Sequence, residues 1–353
     1  MTMNETMERV LAWGAEPCVS VYVPNEQGIQ AANLGTVLQN LARDAERTLH
    51  DRWPMSLSDA TDMVAPLRAI AARGLQVGQL PSVGLFCRAG ESTSCGLPMR
   101  LDRASASVHW GPNLLPLVAA GQTNIRHVVL ALNRRKSRAV IGGSFAWETV
   151  AIKLPSDSDL VVSHQRGLTH HGGGQGRGAI MGGSGTNEHL DDELLAAHMR
   201  EIDSRLRPLL SSIDLPLIVA GVEYEVSAFM AVTAHRHAFA EICGSTERMS
   251  DAEIHALGRR TLQSLNESDV SVALARVSEL GGSGRVLSDG AAIDYEACKG
   301  RIETLFVPDR LIFAEDIDAE STAAAARVTM QQRGDVTVVP QERLDQVTAI
   351  LRY

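Results

Sequence analysis

Between residues 126 and 223 the sequence lays out one α/β unit and interrupts it. Two β-rich runs, residues 128–132 and 137–141, flank a polar turn at 133–136, and a third run follows at 147–152. That spacing predicts a three-stranded antiparallel meander. Further on, "TNEHLDDELLAAHMREIDSRLRPLL" places Leu190, Leu194, Leu195, Met199, Ile202 and Leu206 on one helical stripe. Thr186 or Asn187 stands where a helix cap is needed, and Glu188, Asp191, Asp192 and Glu193 suit the positive end of the helix dipole. The apolar run 215–223 predicts a fourth strand. Between the meander and the helix lies a stretch in which nine of the 19 residues from 167 to 185 are glycine.

Four readings of so bare a loop compete. A phosphate cradle wants GxxxxGK[ST] after a strand, and no glycine here is followed by lysine in that pattern. A dinucleotide loop joins a strand directly to a helix, whereas Gly174, Gly176 and Gly178 repeat at every second position. A metal site could draw on His164, His170, His171, His189, Asp191, Asp192 and His198. Yet there is no HExxH pair, and a glycine loop holds ligands poorly, so no metal is expected. A plain linker fits the composition, but linkers join domains and this stretch interrupts one. The fourth reading is a mobile catalytic tip. Glycines let backbone enter a crowded site, and free N–H groups can serve a developing oxyanion. Gln175 brings an amide that donates and accepts but is no strong acid or base. No Ser-His-Asp set or GxSxG elbow accompanies it, so the rest of such a site would belong to another molecule.

The remaining sequence also alternates strand and helix patterns. Residues 18–24 read as a buried strand, 34–49 and 58–72 as helices, and 82–87 as a further strand, giving an N-terminal α/β domain over residues 1–122. The middle domain spans 123–225 and carries the loop at 167–187. Residues 226–353 are expected to form an α/β sandwich with a mainly parallel sheet. "SDAE" at 250–253 is a capping box opening one of its helices. His235 and His237 are expected on a strand-like run with both rings on one polar face. The fold class is thus α/β in three domains.

With 353 residues and 44% hydrophobic content, the chain can build several cores. The N-terminus does not read as a secretory signal, and no run approaches the ~20 apolar residues of a membrane span. The five scattered cysteines form no CxxC pair, so a reducing cytoplasm is expected. The net charge of -9 argues against a general nucleic-acid coat. Locally, however, residues 126–177 hold eight Lys or Arg against three acids, a net of 8 - 3 = +5, which is compatible with an RNA contact or with a solvated face.

Gly173-Gly174-Gln175 resembles the Gly-Gly-Gln motif of the archaeal and eukaryotic class I release factors and Pelota proteins. "CKGRIETLFVPD" and "AILRY" resemble segments of that family's third domain, so the similarity runs over about residues 126–353. The resemblance implies a ribonuclease H-like middle domain with the motif at a loop tip. It also implies a third domain of the family's α/β sandwich kind. The implied activity is hydrolysis of peptidyl-tRNA in concert with the ribosome, with no cofactor. Gly173 and Gly174 would permit the backbone path, and Gln175 would position water or stabilise the transition state. Arg166, His170, His171 and Arg177, with Arg134, Arg135 and Lys136, would touch ribosomal RNA. A translational GTPase or another factor would dock on the C-terminal domain. No Asn-Ile-Lys-Ser signature is present, and "GRGAIMGGSGTNEH" follows the motif where relatives are basic and aromatic. Bacterial relatives acting in ribosome rescue or quality control fit this better than stop-codon readers. A loop that only binds, in a non-catalytic splitting or hibernation factor, remains open, as does a metal-dependent hydrolase.

Overall fold

The computed structural model describes residues 2–25, 29–53, 55–74, 80–156, 184–213, 215–314 and 317–353. The chain forms two compact units, Met1–Asn124 together with Asn266–Tyr353, and Ile125–Leu265.

Helix α1 (Met3–Leu11) opens with a capping box, in which Thr2 Oγ1 accepts from the Glu5 N–H at 3.2 Å and Glu5 Oε2 accepts from the Thr2 N–H at 2.8 Å. Strand β1 (Pro17–Pro24) pairs antiparallel with β2 (Ser82–Arg88) and β4 (Ser105–Trp110), while β3 (Glu91–Leu97) lies outside β2. Side chains alternate across a strand. Val19, Val21 and Val23 therefore meet one layer, Leu38 and Leu49 of α2 (Ile29–Arg52) and Val64 and Leu67 of α3 (Leu57–Arg73). Cys18 and Tyr22 face the other way, into a core with Phe86, Leu97 and Leu117 of α4 (Leu115–Thr123). Tyr22 is fully buried, and its hydroxyl donates to the Asn113 carbonyl at 2.6 Å.

The second unit is a five-stranded sheet of order β7-β6-β5-β8-β9. Strands β5 (His127–Ala131), β6 (Arg138–Gly142) and β7 (Trp147–Thr149) form the antiparallel meander that the spacing predicts. Helix α5 (Ser184–Ser212) begins two residues before the expected cap and leads into β8 (Leu217–Gly221), which runs parallel to β5. Helix α6 (Glu223–Met230) returns the chain to β9 (Ala238–Ile242), parallel to β8. One face of the sheet packs on Met199, Ile202 and Leu206 of α5. Helix α7 (Asp251–Glu279) covers the other face with Ile254, Leu257 and Leu262. Its start is the predicted capping box: Ser250 Oγ accepts from the Glu253 N–H at 3.3 Å, and Glu253 Oε2 accepts from the Ser250 N–H at 2.7 Å.

The chain then re-enters the first unit through β10 (Val286–Leu287), α8 (Gly290–Cys298), β11 (Ile302–Pro308), α9 (Ile317–Gln331), β12 (Asp335–Val339) and β13 (Thr348–Leu351). The sheet order is β10-β13-β11-β12. The expectation of a mainly parallel sheet is corrected here. Only β11 and β12 run parallel, with α9 as their crossover, whereas β13 is antiparallel to both β10 and β11. Residues 340–347 connect β12 to β13 without a helix, and so short a connection reverses the chain rather than carrying it over. Contacts distant in sequence bind the two halves of this unit. Asn113 Nδ2 donates to the Ile312 carbonyl at 3.4 Å, the Val338 N–H to Gln122 Oε1 at 2.9 Å, and Gln331 Nε2 to the Leu11 carbonyl at 2.8 Å.

Candidate functional site

The β5–β6 turn carries three of the predicted cations, Arg134, Arg135 and Lys136. Asn133 Oδ1 accepts from the Arg135 N–H at 2.8 Å and the Lys136 N–H at 3.3 Å. Ser137 Oγ accepts from the Asn133 N–H at 3.2 Å and donates to its carbonyl at 3.0 Å. The side chain thus replaces missing backbone partners and fixes the turn. Thr246 anchors its root by donating to the Leu132 carbonyl at 2.5 Å. Arg134, Arg135 and Lys136 all stand exposed on this scaffold. Arg134 lies 5.3 Å from the Tyr224 ring, and Arg135 pairs with Glu247 at 3.1 Å. Such exposed pairs contribute little to stability, so these cations are available to a polyanion.

Strand direction carries β7, the last strand before the glycine-rich stretch, toward that turn. Strands β5 and β7 are both antiparallel to β6, so both run toward residues 133–136. Beyond β7 the Val150 N–H still donates to the Ala139 carbonyl at 2.9 Å, and Val150, Ile152 and Leu154 pack on the core below. Helix α5 must bring the chain back to the start of β8, which is parallel to β5. Its first turns therefore lie on the side of the basic turn. Gly173, Gly174, Gln175, Arg166, His170, His171 and Arg177 themselves lie outside the described residues, as does His164.

Other predicted groups fall elsewhere. His198 is 1% exposed, on the inner side of α5. No group of three or more His, Cys, Asp or Glu among the described residues is placed to hold a metal ion. His235 and His237 lie not on a strand but in the loop before β9. Their ring centroids are 6.3 Å apart at 80°, and His235 Nε2 donates to the Leu215 carbonyl at 2.9 Å. The strand-like reading fails because pairing with β8 begins only at Ala238, one residue past the pair. Burial pushes the Cys18 and Cys87 thiols up to about 12 and Cys95 up to about 11, so these thiols stay protonated and inert.

At the opposite end of the same sheet the structure assembles rings that the sequence did not single out. Trp147 lies over His255 of α7, centroids 5.9 Å apart at 23°, and His255 over His127, 5.5 Å apart at 7°. His127 Nδ1 is 2.9 Å from the Ile125 carbonyl, and His255 Nε2 is 2.9 Å from that of Gly143. Carbonyls only accept, so each of these nitrogens carries a proton. Burial holds both rings below the usual imidazole range, the nearby carbonyl bonds opposing it. Two glycines permit the stack. A Cβ on Gly142 would meet Trp147 Cβ at 2.5 Å and the Ala146 carbonyl oxygen at 2.8 Å, and one on Gly258 would press into Val129 Cγ2.

Residues 126–301 match the family model of the bacterial archaeo-eukaryotic release factors, family 3. Over these residues the chain is a relative of the bacterial archaeo-eukaryotic release factors. Solved structures similar to it include an archaeal translation termination factor, aRF1, at 13% identity over 100% of this chain and 99% of that one, TM-score 0.28. Another is S. cerevisiae Dom34, a translation termination-like factor involved in RNA quality control and interacting with Hbs1, at 10% identity over 75% of each chain, TM-score 0.41. A third is Archaeoglobus fulgidus Pelota, at 16% identity over 77% of this chain and 79% of that one, TM-score 0.29. No curated protein matches the chain. No helix among the described residues is long and apolar enough to cross a membrane.

Proposed function

We propose that the protein enters the ribosome and promotes hydrolysis of peptidyl-tRNA in ribosome rescue or quality control, without decoding a stop codon. One observation carries this reading. Gly173-Gly174-Gln175 stands between the meander and α5 of the unit that matches the release-factor family. On this reading the middle unit is ribonuclease H-like and the glycine loop is its probe. Water attacks the ester carbonyl, the tRNA hydroxyl leaves, and the backbone N–H of Gln175 meets the developing negative charge. Gly173 and Gly174 allow the backbone to approach. Arg166, His170, His171 and Arg177 hold ribosomal RNA at the tip, and Arg134, Arg135 and Lys136 hold it at the root. The C-terminal segment offers a docking surface to a translational GTPase, and the protein works in the cytoplasm.

The test adds wild-type protein, Gln175→Ala or Gly174→Ala to stalled ribosome–nascent chain complexes and measures released peptide. Release by the wild type and its loss in both variants is expected. Equal release by all three, or none by the wild type, would sink the catalytic claim. A second reading rests on "GRGAIMGGSGTNEH" after Gln175, which holds a single arginine. It makes the protein a non-catalytic ribosome-binding factor, and salt-sensitive co-sedimentation without any release would favour it.

A further inference from the structure

We propose that Trp147, with Phe145 beside it, is a stacking platform for an unpaired base of single-stranded RNA, with Arg126 and Arg259 facing the strand's phosphates. The proposal extends the ribosome-directed reading to a second surface, at the other end of the sheet from the Arg134–Lys136 turn. Five strand residues separate the two ends in β5, roughly 17 Å at ~3.3 Å per residue.

The platform is built and open. Trp147 keeps 42% exposure although one face lies on His255, and Phe145 in the same hairpin keeps 38%. The stack onto His255, itself stacked on His127, holds the indole, and the close approach at Gly142 fixes the Trp147 backbone, so little side-chain freedom is lost on binding. An exposed, pre-ordered ring suits a nucleobase, because every base presents a π-face to it.

Charge selects RNA over an apolar peptide. Arg126 precedes β5 at this end of the sheet, and Arg259 lies one helical turn beyond His255 and close enough to disfavour its protonation; both are exposed. Among the described residues neither takes part in an ion pair. The neighbouring acids are turned away or engaged. Glu148 alternates to the opposite strand face from Trp147 and Thr149. Asp251 is held by Arg138 at 2.8 Å and by Thr149 at 2.7 Å, and Glu253 is folded back onto Ser250. What remains is an exposed aromatic surface, with an exposed cation ahead of β5 and another one helical turn past His255, a combination complementary to a base and its phosphates.

The experiment titrates the full-length protein into fluorescein-labelled single-stranded RNA and reads polarisation. Wild type, Trp147→Ala, Trp147→Phe and Arg259→Ala are compared, each after its urea midpoint is recorded. Trp147→Ala is expected to bind roughly 5- to 150-fold more weakly, the range for losing one stacked base, while Trp147→Phe keeps most of the affinity. Arg259→Ala is expected to lower the slope of log affinity against log salt by about 0.7. Should Trp147→Ala unfold, Trp147→Phe and Arg259→Ala still decide the matter. Unchanged binding by a folded Trp147→Ala, or no RNA binding by the wild type, overturns the proposal. So does a Trp147→Ala that loses ribosome co-sedimentation while keeping its RNA affinity, since the surface then meets a protein. Peptide release is measured separately. Release without Trp147-dependent RNA binding removes only the platform, and such binding without release removes only the catalytic reading.

Discussion

Gly258 of α7 stands where a methyl group would come within 3.0 Å of His127 Nε2 and press into Val129. The helix therefore lies closer to the sheet than any side chain at this position allows. Alanine is the better helix former by about 1 kcal/mol, but a tightly packed interior loses about 1–3 kcal/mol on overpacking. The clash wins because Val129 is β-branched and held in a central strand. Gly258→Ala is expected to lower the urea midpoint of the middle unit, and a raised midpoint would contradict this contact.

The same histidine pair sets a pH dependence. Burial places the folded His127 and His255 below the ~6.5 of an unfolded chain. Below that value the unfolded state binds more protons, so stability falls with falling pH and levels off above it. Ring-proton NMR titration is expected to give midpoints for both residues under 6.5. A midpoint above it for either ring would reverse the sign.

Arg138 ties β6 to the loop before α7. Its guanidinium donates to Asp251 Oδ1 at 2.8 Å, the Met249 carbonyl at 2.6 Å and the Thr246 carbonyl at 3.2 Å. Removing it leaves three acceptors without their donor, and hydrogen bonds to charged groups contribute about 1.5–3 kcal/mol. Chemical denaturation of Arg138→Ala is expected to show a loss in that range. A change under about 0.5 kcal/mol would mean that water replaces the guanidinium freely.

Tyr22→Phe separates polarity from packing in the first unit. The ring keeps its edge contacts with Phe86 and Phe313, at 5.8 and 5.9 Å between centroids, but the Asn113 carbonyl loses its donor. A loss of about 1–3 kcal/mol is expected, against about 3–5 for Tyr22→Ala. Equal losses in the two variants would show that the hydroxyl carries the whole effect.

The basic turn has a signature of its own. Neutralising Arg134, Arg135 and Lys136 together is expected to reduce the salt dependence of ribosome binding by roughly one slope unit per lost phosphate contact. An unchanged slope would remove the turn from the RNA interface.

Local pattern made much of this legible. The meander, α5, β8 and the Ser250–Glu253 box follow from periodicity and capping within a few residues of one another. The antiparallel placement of β13 did not show, because "AILRY" has the same apolar run in either direction and only the connection before it decides. Nor did the joining of residues 2–124 to 266–353, which rests on pairs such as Asn113 with Ile312, 199 positions apart. The candidate site was half legible. The Arg134–Lys136 turn is written in polar residues between two β runs, whereas Trp147 and His255 lie 108 positions apart and meet only through the close approaches at Gly142 and Gly258.

The first unit is discontinuous along the chain, and synthesis reads the chain in one direction. When residues 2–124 have emerged, Gln122 lacks the backbone of Val338, and the core around Leu114 and Leu117 lacks Phe313 and Met330. The whole of Ile125–Leu265, with its own sheet and covering helices, is made before those partners exist. Translation therefore offers the later domain its partners first, while the earlier one waits half-assembled for the last strand to insert between β10 and β11.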